Sequence, residues 1–315
     1  MVEATYVEGS ITQDTIWTLV DSPFVVSKNI TVCSSATLTI EPEVEVKFGG
    51  AFSLIVEGRL VADGTEDKMI TFTSNRYEPE AGDWGIIEFN GTDSSSLMHC
   101  IIEYGTNGIT VENGTVNIQN SRVSFNSENG IMITNGSVTV KDNKIANNTM
   151  SGMYIAGGNQ VTVQHNIIMS NEDGITLTGN LASEININQN NISLNRHSGI
   201  LLESDTYDNT DIRNNTLSTN SYGFYVSTNA STVITRNYIL NNTFGIFYEK
   251  GTDHKAHFND IYDNDAGMDV SPNAAVNAEY NYWGDRSGPY HESLNPAEKE
   301  IVCVVTELIL TSYSF

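Results

Sequence analysis

The sequence predicts an all-β fold, a single-stranded parallel β-helix of about ten coils. Three observations predict it. A glycine followed by a large apolar residue recurs at Gly85-Ile86, Gly108-Ile109, Gly130-Ile131, Gly152-Met153, Gly174-Ile175, Gly199-Ile200, Gly223-Phe224, Gly245-Ile246 and Gly267-Met268, at intervals of 22 to 25 residues. An Asn-x-apolar triplet runs in register with it: Asn143-Lys-Ile145, Asn166-Ile-Ile168, Asn190-Asn-Ile192, Asn215-Thr-Leu217, Asn237-Tyr-Ile239 and Asn259-Asp-Ile261. Before each triplet stands an alternating apolar pair such as Val138/Val140, Val161/Val163 or Ile185/Ile187. Alternation over so short a stretch is the pattern of a half-buried strand.

Each unit is thus two or three short strands with one apolar face, which a single unit cannot bury. Stacking units about 4.8 Å apart gives each strand a parallel neighbour and buries the inward Ile and Val side chains. A second asparagine follows each triplet (Asn148, Asn171, Asn195, Asn220, Asn242, Asn264), so stacking would set two files of amides in hydrogen-bonded ladders. Cys100 and Ser121 fill ladder positions in the earlier units, which gives Cys100 the role of a small buried hydrophobe. The glycines are expected to supply turn conformations that other residues resist. The whole chain, 1–315, reads as one domain. It divides into an N-terminal cap with the first strands (1–36), opening coils (37–94), regular coils (95–283) and a closing segment with a tail (284–315).

Composition fits this reading. The chain holds 36 asparagines, a poor helix former and a good turn former. Its net charge of −24 disfavours nucleic acid and anionic lipid surfaces as partners, leaving cations, neutral or basic glycans, or simple solubility as the role of the acidity. Cys33, Cys100 and Cys303 have neither the spacing of a zinc site nor that of a disulfide framework, although one bridge could form. The apolar run 301–310 is too short to span a bilayer, so no membrane insertion is expected. No signal peptide is visible at the N-terminus, and Met1 reads as an added start on a mature secreted segment.

The pattern Asn-x-Ile-x-x-Asn followed by Gly-Ile resembles the right-handed parallel β-helix repeat of the carbohydrate-binding and sugar-hydrolysis (NosD-type) proteins and of pectin-lyase-like folds. The segments ATLTIEPEVEVKFGGAFSLIVEGRLVADGTEDKMITFT, GDWGIIEF and NYWGDRSGPYH look like the flanking coils of archaeal and bacterial cell-surface members. The resemblance implies the right-handed sense, a pectin-lyase-like solenoid and an extracellular or cell-surface setting. Glu43 departs from the pattern, standing where relatives carry a turn glycine after Glu-Pro, and the tail 297–315 no longer resembles a last coil. Because the fold serves lyases, hydrolases, epimerases, adhesins and structural proteins, it assigns no activity by itself.

Candidate chemistry is sparse. Asn209-Thr210-Asp211 matches the first element of polygalacturonase-type sites, but no Asp-Asp and no His-Gly dipeptide accompanies it. The lengthened units, 174–223, are where a solenoid places function. There Asp208, Asp211 and Arg213 are the weak catalytic candidates, with Asp211 and Arg213 on one strand face. Glu203, Asp205 and Asp208 could hold calcium; no cofactor is required. His254 and His257 are expected on opposite strand faces, as surface and edge histidines. One residue past each inward apolar position lies an outward stripe, Thr110, Met132, Tyr154, Thr176, Leu201, Tyr225, Phe247 and Asp269. Tyr154, Tyr225 and Phe247 on it are candidates for stacking on sugar rings; alternatively the tail or a second copy covers the stripe. The functional expectation is a glycan-binding or envelope-structural β-helix without a complete catalytic set. The alternatives are a lyase or hydrolase of an acidic glycan, or a self-assembling surface-layer component. Partners would be a polysaccharide, another cell-surface protein or a second copy.

Overall fold

The computed structural model describes residues 3–181, 184–207, 209–284 and 288, with strand backbone at 303–304 and 308–309. The residues divide into two compact units, Met1–Thr162 and Val163–Phe315, and each is a stack of parallel strands. Together they hold about 12 turns of a parallel β-solenoid, against the roughly ten counted from glycines. The extra turns come from segments without the Gly-apolar mark. In the first unit Thr5–Ile11 pairs in parallel with Phe24–Val32, and in the second Cys303–Val304 pairs with Ala266–Val270.

In the first unit the coils are in strict register. Ile109–Val111 pairs with Ile131–Ile133, which pairs with Met153–Ile155. Thr115–Gln119 pairs with Ser137–Lys141, and Arg122–Ser124 with Lys144–Ala146. The inward residues Ile131, Ile133, Val138, Val140 and Ile145 are all buried, each contributing about 1.5–3 kcal/mol. In the opening coils the inward positions are larger. The ring of Trp84 lies on Phe48, centroids 4.1 Å apart, and its indole N–H donates to the Glu103 carbonyl at 2.8 Å. The second unit repeats the pattern, with Asn191–Ser193, Thr216–Ser218, Tyr238–Leu240 and Asp260–Tyr262 in one parallel file.

The asparagine ladders form as the spacing predicts, and their geometry shows what they do. The residue before each ladder position is left-handed: Asp142 (φ 57), Gln189 (φ 56), Asn214 (φ 55), Arg236 (φ 56) and Phe258 (φ 57). Such a backbone costs about 1–3 kcal/mol in a residue with a Cβ, so something must hold it. Asn215 spans the turn at Asn214, its amide donating to the Arg213 carbonyl at 3.1 Å and to the Ile187 carbonyl at 2.9 Å. Its Oδ1 accepts from the backbone N–H and side-chain amide of Asn190, at 3.0 and 2.9 Å. One side chain therefore closes its own turn and ties two coils. Cys100 sits in this file, fully buried, with its thiol against the Ala62 carbonyl and its N–H donating to Ser121 Oγ. A third, shorter ladder joins Asn107, Asn129 and Ser151 just before the glycines; the sequence reading passed over it.

The expectation for the glycines is corrected. Gly108, Gly130, Gly174, Gly199, Gly223 and Gly245 are not among the positive-φ residues. Close approach is what requires them. A Cβ on Gly130 would stand 2.7 Å from the Gly152 carbonyl oxygen, and one on Gly199 the same distance from that of Gly223. Glu43, at the position where relatives carry glycine, adopts φ 73 and keeps the turn without it.

Candidate functional site

The interior is filled by repeat residues, so distinctive chemistry must be outward-facing. In the second unit the outward stripe runs Thr176, Leu201, Tyr225, Phe247 and Asp269 on successive strands. Beside it, the position before each glycine forms a second file, in which Ser198, Tyr222, Phe244 and Ala266 are register partners. Two adjacent coils therefore each present two rings. Tyr222 stacks on Phe244 with centroids 5.1 Å apart and planes 14° from parallel. Tyr225 and Phe247 are also 5.1 Å apart, and Tyr222 meets Tyr225 edge-on at 5.0 Å. All four are half-buried, with ring surface left to solvent.

One coil earlier the face becomes polar. His197 Nδ1 donates to Asp173 Oδ1 at 2.8 Å, and the same oxygen accepts from the Ser198 N–H at 3.0 Å and hydroxyl at 2.5 Å. Asp173 holds the pre-glycine position that Asn107 and Asn129 hold in the first unit. A carboxylate has replaced a ladder amide there and recruits a histidine. Burial alone would raise the Asp173 pKa, but the hydrogen bonds from His197 and Ser198 outweigh it and hold the carboxyl below its usual range. The bond to Asp173 in turn raises His197, against partial burial, and the nearby carboxylates add to the effect. The imidazole packs 5.3 Å from the Tyr222 ring and 5.1 Å from that of Tyr225. Burial first, then Glu249 and Glu203, raise the Tyr225 phenol, so it stays protonated. The site thus offers an imidazole whose charged form Asp173 favours, a neutral phenol and carboxylates around four rings.

Next to the rings, Glu203 and Asp205 line a cavity of about 280 Å³ with Ser227, Thr228 and Lys250. Glu249 lies at the same edge, accepting from the Ser227 hydroxyl. Of the expected calcium ligands, Glu203 and Asp205 share this cavity, while Asp208 lies outside the described residues. Among the described residues no group of three or more His, Cys, Asp or Glu could hold a metal ion. Asp211 and Arg213 do share a strand face and pair at 3.0 Å, half-exposed. Tyr207 serves the loop itself, its hydroxyl accepting from the Ser204 N–H at 2.7 Å.

Other expectations change. Leu201 is buried at 8 % exposure and Thr176 at 4 %, so the stripe is not a continuous exposed apolar band. Tyr154, the first ring on it, belongs to the first unit, where it is the register partner of Met132. The described part of the tail pairs edge-on with the last strands, Val304 opposite Asp269 and Ile309 opposite Asn277, as a further rung. His254 is not a surface residue: it is buried, its Nδ1 on the Thr232 hydroxyl and its Nε2 on the Lys250 carbonyl, and burial lowers its pKa. His257 bonds Asn277 Oδ1 at 2.9 Å.

A family model for the right-handed beta helix region matches residues 85–233 and 205–289. The chain belongs to the right-handed β-helix family. The A-module of a mannuronan C-5 epimerase of Azotobacter vinelandii shares this β-helix with a TM-score of 0.55 at 12 % identity, over 97 % of this chain and 89 % of that one. A periplasmic alginate epimerase matches with a TM-score of 0.54 at 13 % identity, over 87 % of this chain and 84 % of that one. These likenesses establish a pectin-lyase-like fold for this β-helix protein. No curated protein sequence matches it significantly. No helix among its described residues is long and apolar enough to cross a membrane.

His197 and Asp173 were missed in the sequence because 24 residues separate them and neither residue type recurs at its position in the repeat. The usable signal is substitution against the repeat: an Asp before Gly174, between units that carry Asn107, Asn129, Ser151 and Ser198 there, and aromatics before two successive glycines, Gly223 and Gly245.

Proposed function

We propose that the outward face of residues 173–249 binds a neutral or amino-sugar polysaccharide, and that the protein works outside the cytoplasm or at the cell surface, where such polymers lie. The observation that carries this is the block of four half-exposed rings, Tyr222, Tyr225, Phe244 and Phe247, on two consecutive coils. Aromatic faces pack against the C–H faces of sugars, and hydrogen-bonding groups at the rim fix hydroxyls. His197, Asp173, Glu203 and Glu249 supply that rim. The rim is acidic on a chain of net charge −24, which opposes a polyuronate and suits a neutral or cationic glycan.

Affinity electrophoresis in gels containing hydroxyethyl cellulose or glycol chitosan tests this reading, with and without calcium. The wild-type chain should be retarded in at least one gel, and the double variant Tyr225→Ala/Phe247→Ala should lose most of that retardation. The variant keeps the charge, so non-specific attraction to glycol chitosan cancels in the comparison. Equal mobility of the two proteins in both gels would refute the reading.

The Asp173–His197 bond favours a second reading, in which the imidazole in its protonated form is a general acid for cleavage of a bound glycan. Reducing-end release from cellohexaose or chitosan hexamer, abolished by His197→Gln, would select it.

A further inference from the structure

One inward file of the second unit breaks the repeat. Ile185 is the register partner of Thr210, and His254 that of Val276; by the same register Thr232 lies between Thr210 and His254. In the first unit Val116 and Val138 hold this strand position. Polar side chains have entered a core file that is otherwise apolar, and an imidazole stands among them. Departures of this kind from a repeat mark places where something besides stability is at stake.

His254 is buried, its ring 4.9 Å from that of the fully buried Tyr248. A carbonyl can only accept, so Nε2 carries the proton and donates to the Lys250 carbonyl at 2.8 Å, while Nδ1 accepts from the Thr232 hydroxyl at 3.0 Å. The neutral imidazole thus closes the turn 250–253 from the core side. Gly251, at φ 94, lets that turn come so close that a Cβ there would run into Nε2 and the Thr228 carbonyl oxygen. The strand register shifts at this turn, and Lys250 on it lines the cavity beside the aromatic rings.

A charge on this imidazole would stand unpaired. Asp253 is the charge that acts on it, and that residue is exposed to solvent. Lys250 and Lys255, also exposed, would repel it. The coil before turns Thr232 towards it and the coil after Val276, neither of which ionises, and burial keeps the Tyr248 phenol protonated. An unpaired buried charge costs far more than the one neutral hydrogen bond that closes the turn, so the turn yields first.

We propose that His254 is an acid-operated latch: neutral, it holds the turn 250–253 closed, and on protonation it releases that turn together with the Glu249–Lys250 edge of the cavity. Burial lowers His254 from its ordinary 6.5, so the closed turn has its full stability above about that value and loses it as pH falls through the folded pKa. The direction is opposite to that of His197, whose protonation strengthens its bond to Asp173. The latch does not rest on the glycan reading.

Hydrogen–deuterium exchange of the full chain, followed from about pH 8 to about pH 5 and corrected for the intrinsic pH dependence of amide exchange, tests the proposal. Exchange in peptides covering 248–257 should rise by about tenfold or more towards acid, while peptides covering 131–155 keep theirs. His254→Gln, which cannot ionise, should remove the rise. His257→Gln, which leaves the buried imidazole in place, should keep it. In the wild-type chain the ring-proton resonances of His254 should titrate below 6.5, with the midpoint of the exchange transition. Four results would overturn the proposal: exchange over 248–257 that stays flat, a rise that persists in His254→Gln, a rise that vanishes in His257→Gln, or an imidazole that titrates at or above 6.5 with the turn still protected.

Discussion

The two units carry different outward chemistry on the same scaffold. In the first, the outward residues of successive strands are Ile101, Arg122 and Lys144, with two cations side by side in a groove. In the second, a different strand of each coil, the one after the Gly-apolar turn, carries Leu201, Tyr225 and Phe247 outward, with Glu203, Asp205 and Glu249 around them. Inward, the ladder is the same in both units: Ser121 donates its N–H to Asn143 Oδ1 as Asn215 does to Asn237 Oδ1, at 2.9 and 3.0 Å. Side chains alternate across a strand, so the inner half of each coil is dictated by stacking and the outer half is free to vary. Specificity in such a molecule is written in the residues the repeat does not use.

The shared interior can be broken first, and most severely. Asn215→Leu strips partners from the Asn190 N–H and side-chain amide and from the Ile187 and Arg213 carbonyls, the first of them buried, and Asn143→Leu does the same around Ser121 and Ile118. Each lost partner leaves a group costing about 1–3 kcal/mol. Both variants should therefore lose about 3 kcal/mol or more in urea unfolding. A cost below about 1 kcal/mol in one unit alone would mean that the two ladders differ after all.

A smaller effect sharpens the contrast between the outer faces. Glu203→Gln/Glu249→Gln neutralises the rim of the aromatic face without touching its rings. Binding of chitosan hexamer should fall by about tenfold, from exposed pairs worth about 1 kcal/mol or less each, while cellohexaose binding should hold. Microscale thermophoresis distinguishes the two. An equal loss for both sugars would show the carboxylates to be hydrogen-bonding groups rather than charge selectors.

How far the sequence went follows the same division. The ladders at Asn143 to Asn259 were legible because register repeats an amide at fixed spacing. The glycine file was located correctly but misread, since spacing reveals that a small residue is needed and not whether φ or close approach demands it. The residues of both outer faces were mostly hidden. Arg122 and Lys144 fall at the variable middle of the Asn-x-apolar triplet. Tyr222 and Phe244 fall one residue before the glycine, outside the stripe counted from it. Only Tyr225 and Phe247 could be read in advance, as outward residues past the inward apolar position. Asp208 and most of the tail lie outside the described residues.

The smallest effect is a pH dependence confined to the second unit. His197 is raised above its ordinary 6.5, so its contribution is complete below that value and fades as pH climbs through the folded pKa. Asp173 is lowered below its ordinary 3.8, so its contribution is complete above that and fades as pH falls through the folded pKa. The pair is fully stabilising between about pH 3.8 and 6.5. Partial exposure and screening hold the effect to about 1 kcal/mol or less, a melting shift of about 2–4 °C. His197→Gln should flatten the decline above this window, and Asp173→Asn the decline below it; unchanged profiles would show the bond to be thermodynamically idle.

The central claim is that the rings of the second unit are the place where a glycan rests. Hydroxyl-radical footprinting of the full chain, read by mass spectrometry with and without cellohexaose or chitosan hexamer, tests it most directly. At least one sugar should protect Tyr222, Tyr225, Phe244 and Phe247, while Tyr238, exposed on a different strand face, should react equally in every sample. Protection absent from all four rings, or found instead at Met132 and Tyr154, would contradict the account.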